Sequence, residues 1–147
     1  MARIIRYHDV PTDAEYEKGL NIHFGINDKT CGNPQFTMGY TIIPPGSRNQ
    51  RHYHANCDAG FFVLKGRIRL LIGEGENYYE TEVEEGTFVY IPQGEVHGIV
   101  NCSDTEDARL VFTYPGVPNQ AAAGTTFVEG PEVVEQHRRQ RLQVSSA

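Results

Sequence analysis

Apolar and polar positions alternate along residues 35–43 (QFTMGYTII) and stop at Pro44-Pro45-Gly46, which predicts a β-strand closed by a turn. Further short β-prone runs recur at 60–64, 67–72, 78–83, 87–91, 98–101 and 108–114. Between them stand Lys65-Gly66, GEGEN at 73–77, Glu85-Gly86, PQGE at 92–95 and SDTED at 103–107, all of them turn chemistry. Many short strands with Gly and Pro turns and almost no helical period predict an all-β sandwich or barrel over residues 35–115. Ahead of it, residues 1–34 read as an N-terminal arm, with a strand over 2–7 and then PTDAEYEKG, which permits a short helix or a turn. Behind it, residues 116–147 begin as a loop and close with a short helix over 131–142, Pro131 in its first turn and basic residues near its end. At 147 residues the chain is read as one domain.

Chemistry concentrates at GSRNQRHYHANCDAGFFVLKG, residues 46–66. His52 and His54 are two apart, so on a strand both imidazoles share a face and can share one ion. His97, behind Pro92 and Gly94, supplies a third ring. Neutral imidazoles suit zinc, iron, copper and nickel, and three from neighbouring strands leave coordination positions open for chemistry. If the segment before the pair is extended, Arg48 and Gln50 share its face and become candidate substrate contacts, while Asn49, Arg51 and Tyr53 point away. The same parity makes Phe36, Met38, Tyr40 and Ile42 one pocket wall, with Phe61, Val63, Phe112 and Tyr114 as further lining. His8, His23 and His137 lack a motif and read as structural or surface residues.

Composition narrows the partners. The net charge of −6, from 13 basic and 19 acidic side chains, argues against a phosphate-neutralising face and so against nucleic acid. No apolar run approaches the roughly 20 residues needed to span a bilayer, and MARIIRYHDV lacks a signal-peptide core, so a cytoplasmic location is expected. Cys31, Cys57 and Cys102 cannot all pair and read as reduced thiols.

The two stretches resemble the paired motifs of the cupin superfamily, small jelly-roll β-barrels that usually hold a metal. Gly46, His52, His54 and Gly66 stand at positions of the first motif, with Ala59 where that motif carries Glu. Gly86, Pro92, Gly94, His97 and Asn101 match every point of the second. The resemblance implies one divalent transition metal on three histidines, with Fe(II) favoured and Zn, Ni, Mn or Cu as alternatives. Asp58, one residue early, is a candidate fourth ligand, and Ala59 becomes part of the pocket. Because thiol and diketone dioxygenases are three-histidine cupins, the leading expectation is a dioxygenase acting on a small chelating oxygenated compound. The alternatives are a non-oxidative isomerase, lyase, decarboxylase or cyclase, supported by the likeness of FTMGYTIIPPG and HYH to cupin polyketide cyclases, and a binding module without turnover. A homodimer in which the N-terminal strand extends a neighbour's sheet is also expected.

Overall fold

The computed structural model describes residues 1–146. Among these, ten strands and two α-helices follow in chain order: β1 Asn21–Ile26, α1 Asp28–Cys31, β2 Phe36–Ile43, β3 His52–His54, β4 Ala59–Lys65 and β5 Arg67–Ile72 come first. Then follow β6 Tyr79–Glu84, β7 Phe88–Ile91, β8 His97–Asn101, β9 Ala108–Pro115, β10 Thr125–Phe127 and α2 Glu132–Ser146. They form two five-stranded antiparallel sheets, ordered β1-β2-β9-β4-β7 and β10-β3-β8-β5-β6. This is a jelly-roll sandwich with a short C-terminal helix. No helix among the described residues is long and apolar enough to cross a membrane.

The expected strands in the central region form within a residue or two of their predicted bounds. Their alternation has one face to bury: Ile68, Leu70 and Ile72 of β5 meet Leu110, Phe112 and Tyr114 of β9 in one core. Three elements differ from expectation. Residues 1–6 form no strand: they are largely exposed, with Arg3 and Ile5 beside Met38, Tyr40 and Val111 of the first sheet and no strand to pair with. Instead β1 pairs with β2, so the sandwich begins at residue 21 and takes in part of the expected arm. Finally, β10 pairs with β3 and caps the second sheet.

The face of β2 is also reversed. Thr37, Gly39, Thr41 and Ile43 turn inward, while Phe36, Met38 and Tyr40 turn outward and do not line the central cavity. Gly39 explains the choice, since it pairs with Phe112 and a Cβ there would sit 2.4 Å from Phe112 Cζ. The inner face must be small to admit that ring. The larger outer side chains are covered in part by the N-terminal segment, where Tyr7 stacks on Tyr40 at 4.5 Å.

Candidate metal centre

Three histidines meet between the sheets. His52 and His54 lie on β3 and His97 opens β8, with His52 directly opposite His97 in the antiparallel register. One nitrogen from each ring lies within 4.8 Å of the others, and all three residues are buried. Gly94 secures the arrangement: its positive φ of 84° closes the turn before β8, and its N–H donates to the His54 carbonyl at 3.0 Å.

Each ring is held through Nδ1. That atom lies 2.9 Å from the Gln50 carbonyl in His52, 2.9 Å from Thr125 Oγ1 in His54 and 2.9 Å from the Glu95 carbonyl in His97. A carbonyl only accepts, so His52 and His97 carry the proton on Nδ1 and keep Nε2 as a lone-pair donor. Outer partners of this kind orient metal-binding imidazoles. Thr125 in turn contacts Tyr16 Oη at 2.6 Å, and Tyr16 donates to Tyr114 Oη at 3.2 Å. Burial lowers the pKa of His52 and His97 to about 4 and that of His54 to about 2, so the rings are neutral. Orientation, spacing and protonation all fit a divalent cation, which the cluster could hold.

Around the rings is a cavity of ≈50 Å³ walled by Ala59, Phe61, Phe112 and Tyr114 and also by Glu17, Thr41 and Asn49. The remaining expectations are corrected. Asp58 faces away from the rings, because strand alternation puts it opposite Ala59; it accepts from Tyr90 Oη at 3.1 Å and from the Gln93 N–H at 2.8 Å. Arg48 and Gln50 also turn away. Arg48 pairs with Glu129, and Gln50 donates to the Glu129 carbonyl at 2.9 Å. The reason is a bulge: Arg48 bridges to Val100 and His52 pairs with His97, so four steps on one strand oppose three on the other and the parity flips. Asn49 therefore points inward, its Oδ1 accepting from the Ile99 N–H at 2.8 Å.

Sequence reasoning missed Glu17. It lies in the turn after Pro11, is 5% exposed, and accepts from Asn49 Nδ2 at 2.9 Å. A lone Glu in a polar segment carries no local mark of burial. Gly19 brings the turn close, since a Cβ there would fall 1.9 Å from the Arg48 carbonyl oxygen. Burial raises the Glu17 pKa to about 7.

Two expected results follow. Arg48→Ala should leave metal affinity within about threefold and lower stability by about 1 kcal/mol, because Arg51 still neutralises Glu129. Metal titration and urea unfolding of the variant check this. The second concerns pH in the metal-free protein. Below the ordinary histidine value of 6.5, the unfolded chain takes up protons that His52 and His97 refuse until about pH 4 and His54 until about pH 2. Stability is therefore complete above pH 6.5 and lost as pH falls toward 4. Glu17 acts in the opposite sense between its ordinary 4.5 and about 7, but it is one group against three. A net loss on the order of 3 kcal/mol is expected between pH 6.5 and 5. Urea midpoints that stay flat or rise on acidification over that window would contradict it.

Two antiparallel sheets enclosing a buried three-histidine cluster define a jelly-roll protein with a candidate metal site. Residues 39–114 match the Cupin_2 cupin domain, and the chain belongs to that family. It is 29% identical over 111 residues to Protein SchB of Streptomyces halstedii, covering 76% of this chain and 75% of that protein. Polyketide synthase CurC of Streptomyces cyaneus is 26% identical over 117 residues, covering 80% and 73%. Among solved structures, the polyketide cyclase RemF from Streptomyces resistomycificus superposes with a TM-score of 0.68 at 20% identity, covering 90% of this chain and 89% of that one. Oxalate oxidase in complex with the substrate analogue glycolate gives 0.68 at 20% identity, covering 85% of this chain and 63% of that one. Bacillus subtilis oxalate decarboxylase, with its Mn(II) centres, gives 0.70 at 14% identity, covering 84% and 31%. This chain thus spans under two thirds of either oxalate enzyme, and at these identities the superpositions show the fold alone.

Proposed function

We propose that the protein is a metal-dependent enzyme that acts without an external oxidant on a small chelating 1,3-dicarbonyl or phenolic unit, free or as one end of a larger molecule. The observation that carries this reading is three neutral imidazoles converging in a cavity also lined by Phe61, Phe112 and Tyr114, with Ala59 at the position of the motif carboxylate. His52, His54 and His97 would hold the cation, which when bound supplies Lewis-acid stabilisation of an enolate or phenolate oxygen. Phe61, Phe112 and Tyr114 exclude water and lie against a planar substrate. A cavity of ≈50 Å³ favours a small reacting unit. The likeness to the polyketide synthase CurC over 73% of its length supports a polyketide-type substrate, whose 1,3-dicarbonyl units chelate a cation. The second reading, an iron-dependent dioxygenase, is favoured by the same carboxylate-free set of three histidines.

One experiment separates them. Protein loaded with Zn(II), Ni(II), Mn(II) or Fe(II) is mixed with acetylacetone, and enolate absorbance, α-carbon deuterium exchange and oxygen consumption are followed. Enolate formation and exchange without oxygen uptake are expected with a redox-inert metal. Oxygen uptake confined to the iron form would establish the dioxygenase, and wild-type protein that takes up no metal would sink both. We further propose a homodimer through the outer face of the first sheet, where Phe36, Phe88 and Tyr90 are 38%, 82% and 67% exposed. Light scattering at micromolar concentration should give twice the chain mass; a monomer mass would reject the pairing.

A further inference from the structure

We propose that Glu17 is the carboxylate of this metal site, acting as a positioning residue behind His52 in place of the ligand that Ala59 does not supply. The inference rests on the reading that the three histidines hold a divalent cation. Three neutral rings leave the full charge of such an ion uncompensated inside the sandwich, which is costly in a medium that water does not reach. The buried carboxylate has the complementary problem. Its only ion-pair contact among the described residues is His52, with Glu17 Oε1 3.4 Å from His52 Nδ1, and the two side chains are 6% and 3% exposed. No Lys or Arg approaches it within ion-pair distance among those residues, and its one neutral donor is Asn49 Nδ2. A cation on the far side of the His52 ring answers both deficits at once.

The geometry also fixes the mode of action. Glu17 stands on the Nδ1 side of His52, whose N–H is given to the Gln50 carbonyl, and it lines the same cavity while falling outside the group of mutually close ligand atoms, so it acts on the ring through its charge without occupying the ion. Carboxylate behind histidine is a general means of raising the basicity of a metal-bound imidazole. Asn49 locks the arrangement, donating to Glu17 while accepting from Ile99. Charge compensation is thereby separated from coordination. The ion gains a negative neighbour while every position not taken by the three rings stays open, which suits a substrate that chelates through two oxygens.

Four proteins test this: wild type, Glu17→Gln, Ala59→Glu and the double variant. Co(II) affinity is measured by competition with a chromophoric chelator, alongside the visible Co(II) spectrum and the melting of the metal-free forms. Glu17→Gln, which keeps the shape and the bond from Asn49, should melt no lower than wild type without metal. Its Co(II) affinity should fall about 10- to 100-fold with a shifted visible spectrum. Adding Ala59→Glu should bring affinity back to within about threefold of wild type, because a carboxylate is returned to the cavity at the motif position. Glu17→Met gives the same comparison if the amide variant does not fold. Equal Co(II) affinity and spectrum in wild type and a folded Glu17 variant would overturn the role of Glu17 and leave the metal site standing. Wild type without Co(II) uptake would remove the metal reading itself.

Discussion

His97→Ala is expected to reduce metal affinity by at least about 100-fold, since losing even a group behind a ligand costs 10- to 100-fold. His97 opens β8 directly opposite His52, and its Nδ1 is committed to the Glu95 carbonyl at 2.9 Å. Only the other nitrogen is left to face a cation, and alanine supplies none. Two histidines remain in the variant, too few for a site that binds a cation tightly while keeping positions open. Elemental analysis after purification without chelator is the direct measurement, and turnover of any substrate should fall in parallel. Near-wild-type metal content in His97→Ala would show that the ion, if present, is held elsewhere.

Asn101→Ala is expected to cost about 3 kcal/mol, lowering the melting temperature by roughly 10 °C. Asn101 is 1% exposed, and its side-chain amide ties together three segments. Nδ2 lies 3.0 Å from the Ile43 carbonyl, 3.2 Å from that of Pro44 and 2.9 Å from that of Glu106, while Oδ1 accepts from the Ser103 N–H at 2.9 Å. An alanine there takes the side-chain partner from the buried Ile43 carbonyl and from three part-buried backbone groups, and a buried group left unsatisfied costs about 1–3 kcal/mol. The loss should show in chemical denaturation with metal absent, because Asn101 holds the turn between β8 and β9 and touches no histidine. A change below about 1 kcal/mol would mean that the surrounding loop finds other partners.

Both residues stand at motif positions, yet their tasks differ, and spacing alone does not separate a ligand from a turn clamp. His52, His54 and His97 were legible because period-two spacing and turn punctuation place them on one inner face whatever the details of packing. Phe61, Phe112 and Tyr114 were legible for the same reason, and Ala59 from its place in the motif. Parity failed where the backbone departs from regular pairing or where the inner face is the less apolar one. The bulge between Arg48 and His52 exchanges Asn49 for Gln50, and the need to admit Phe112 beside Gly39 turns Phe36, Met38 and Tyr40 outward. Strand β1 carried a usable signal, since Ile22 and Phe24 alternate with Asn21 and His23, and both are buried.

Local sequence therefore determined the strand and turn succession and the all-β sandwich class, which follow from side-chain alternation and turn chemistry within a few residues, while the jelly-roll and the meeting of His97 with His52 and His54 were implied by the resemblance of two spaced motifs to the cupins. Only the tertiary structure decided the charge balance of the site. Glu17 lies 32 positions from Asn49 in the chain, and its burial depends on the close passage of Gly19 over Arg48. Contacts between segments so far apart are set by how the two sheets and their edges fit together, and no local pattern records them.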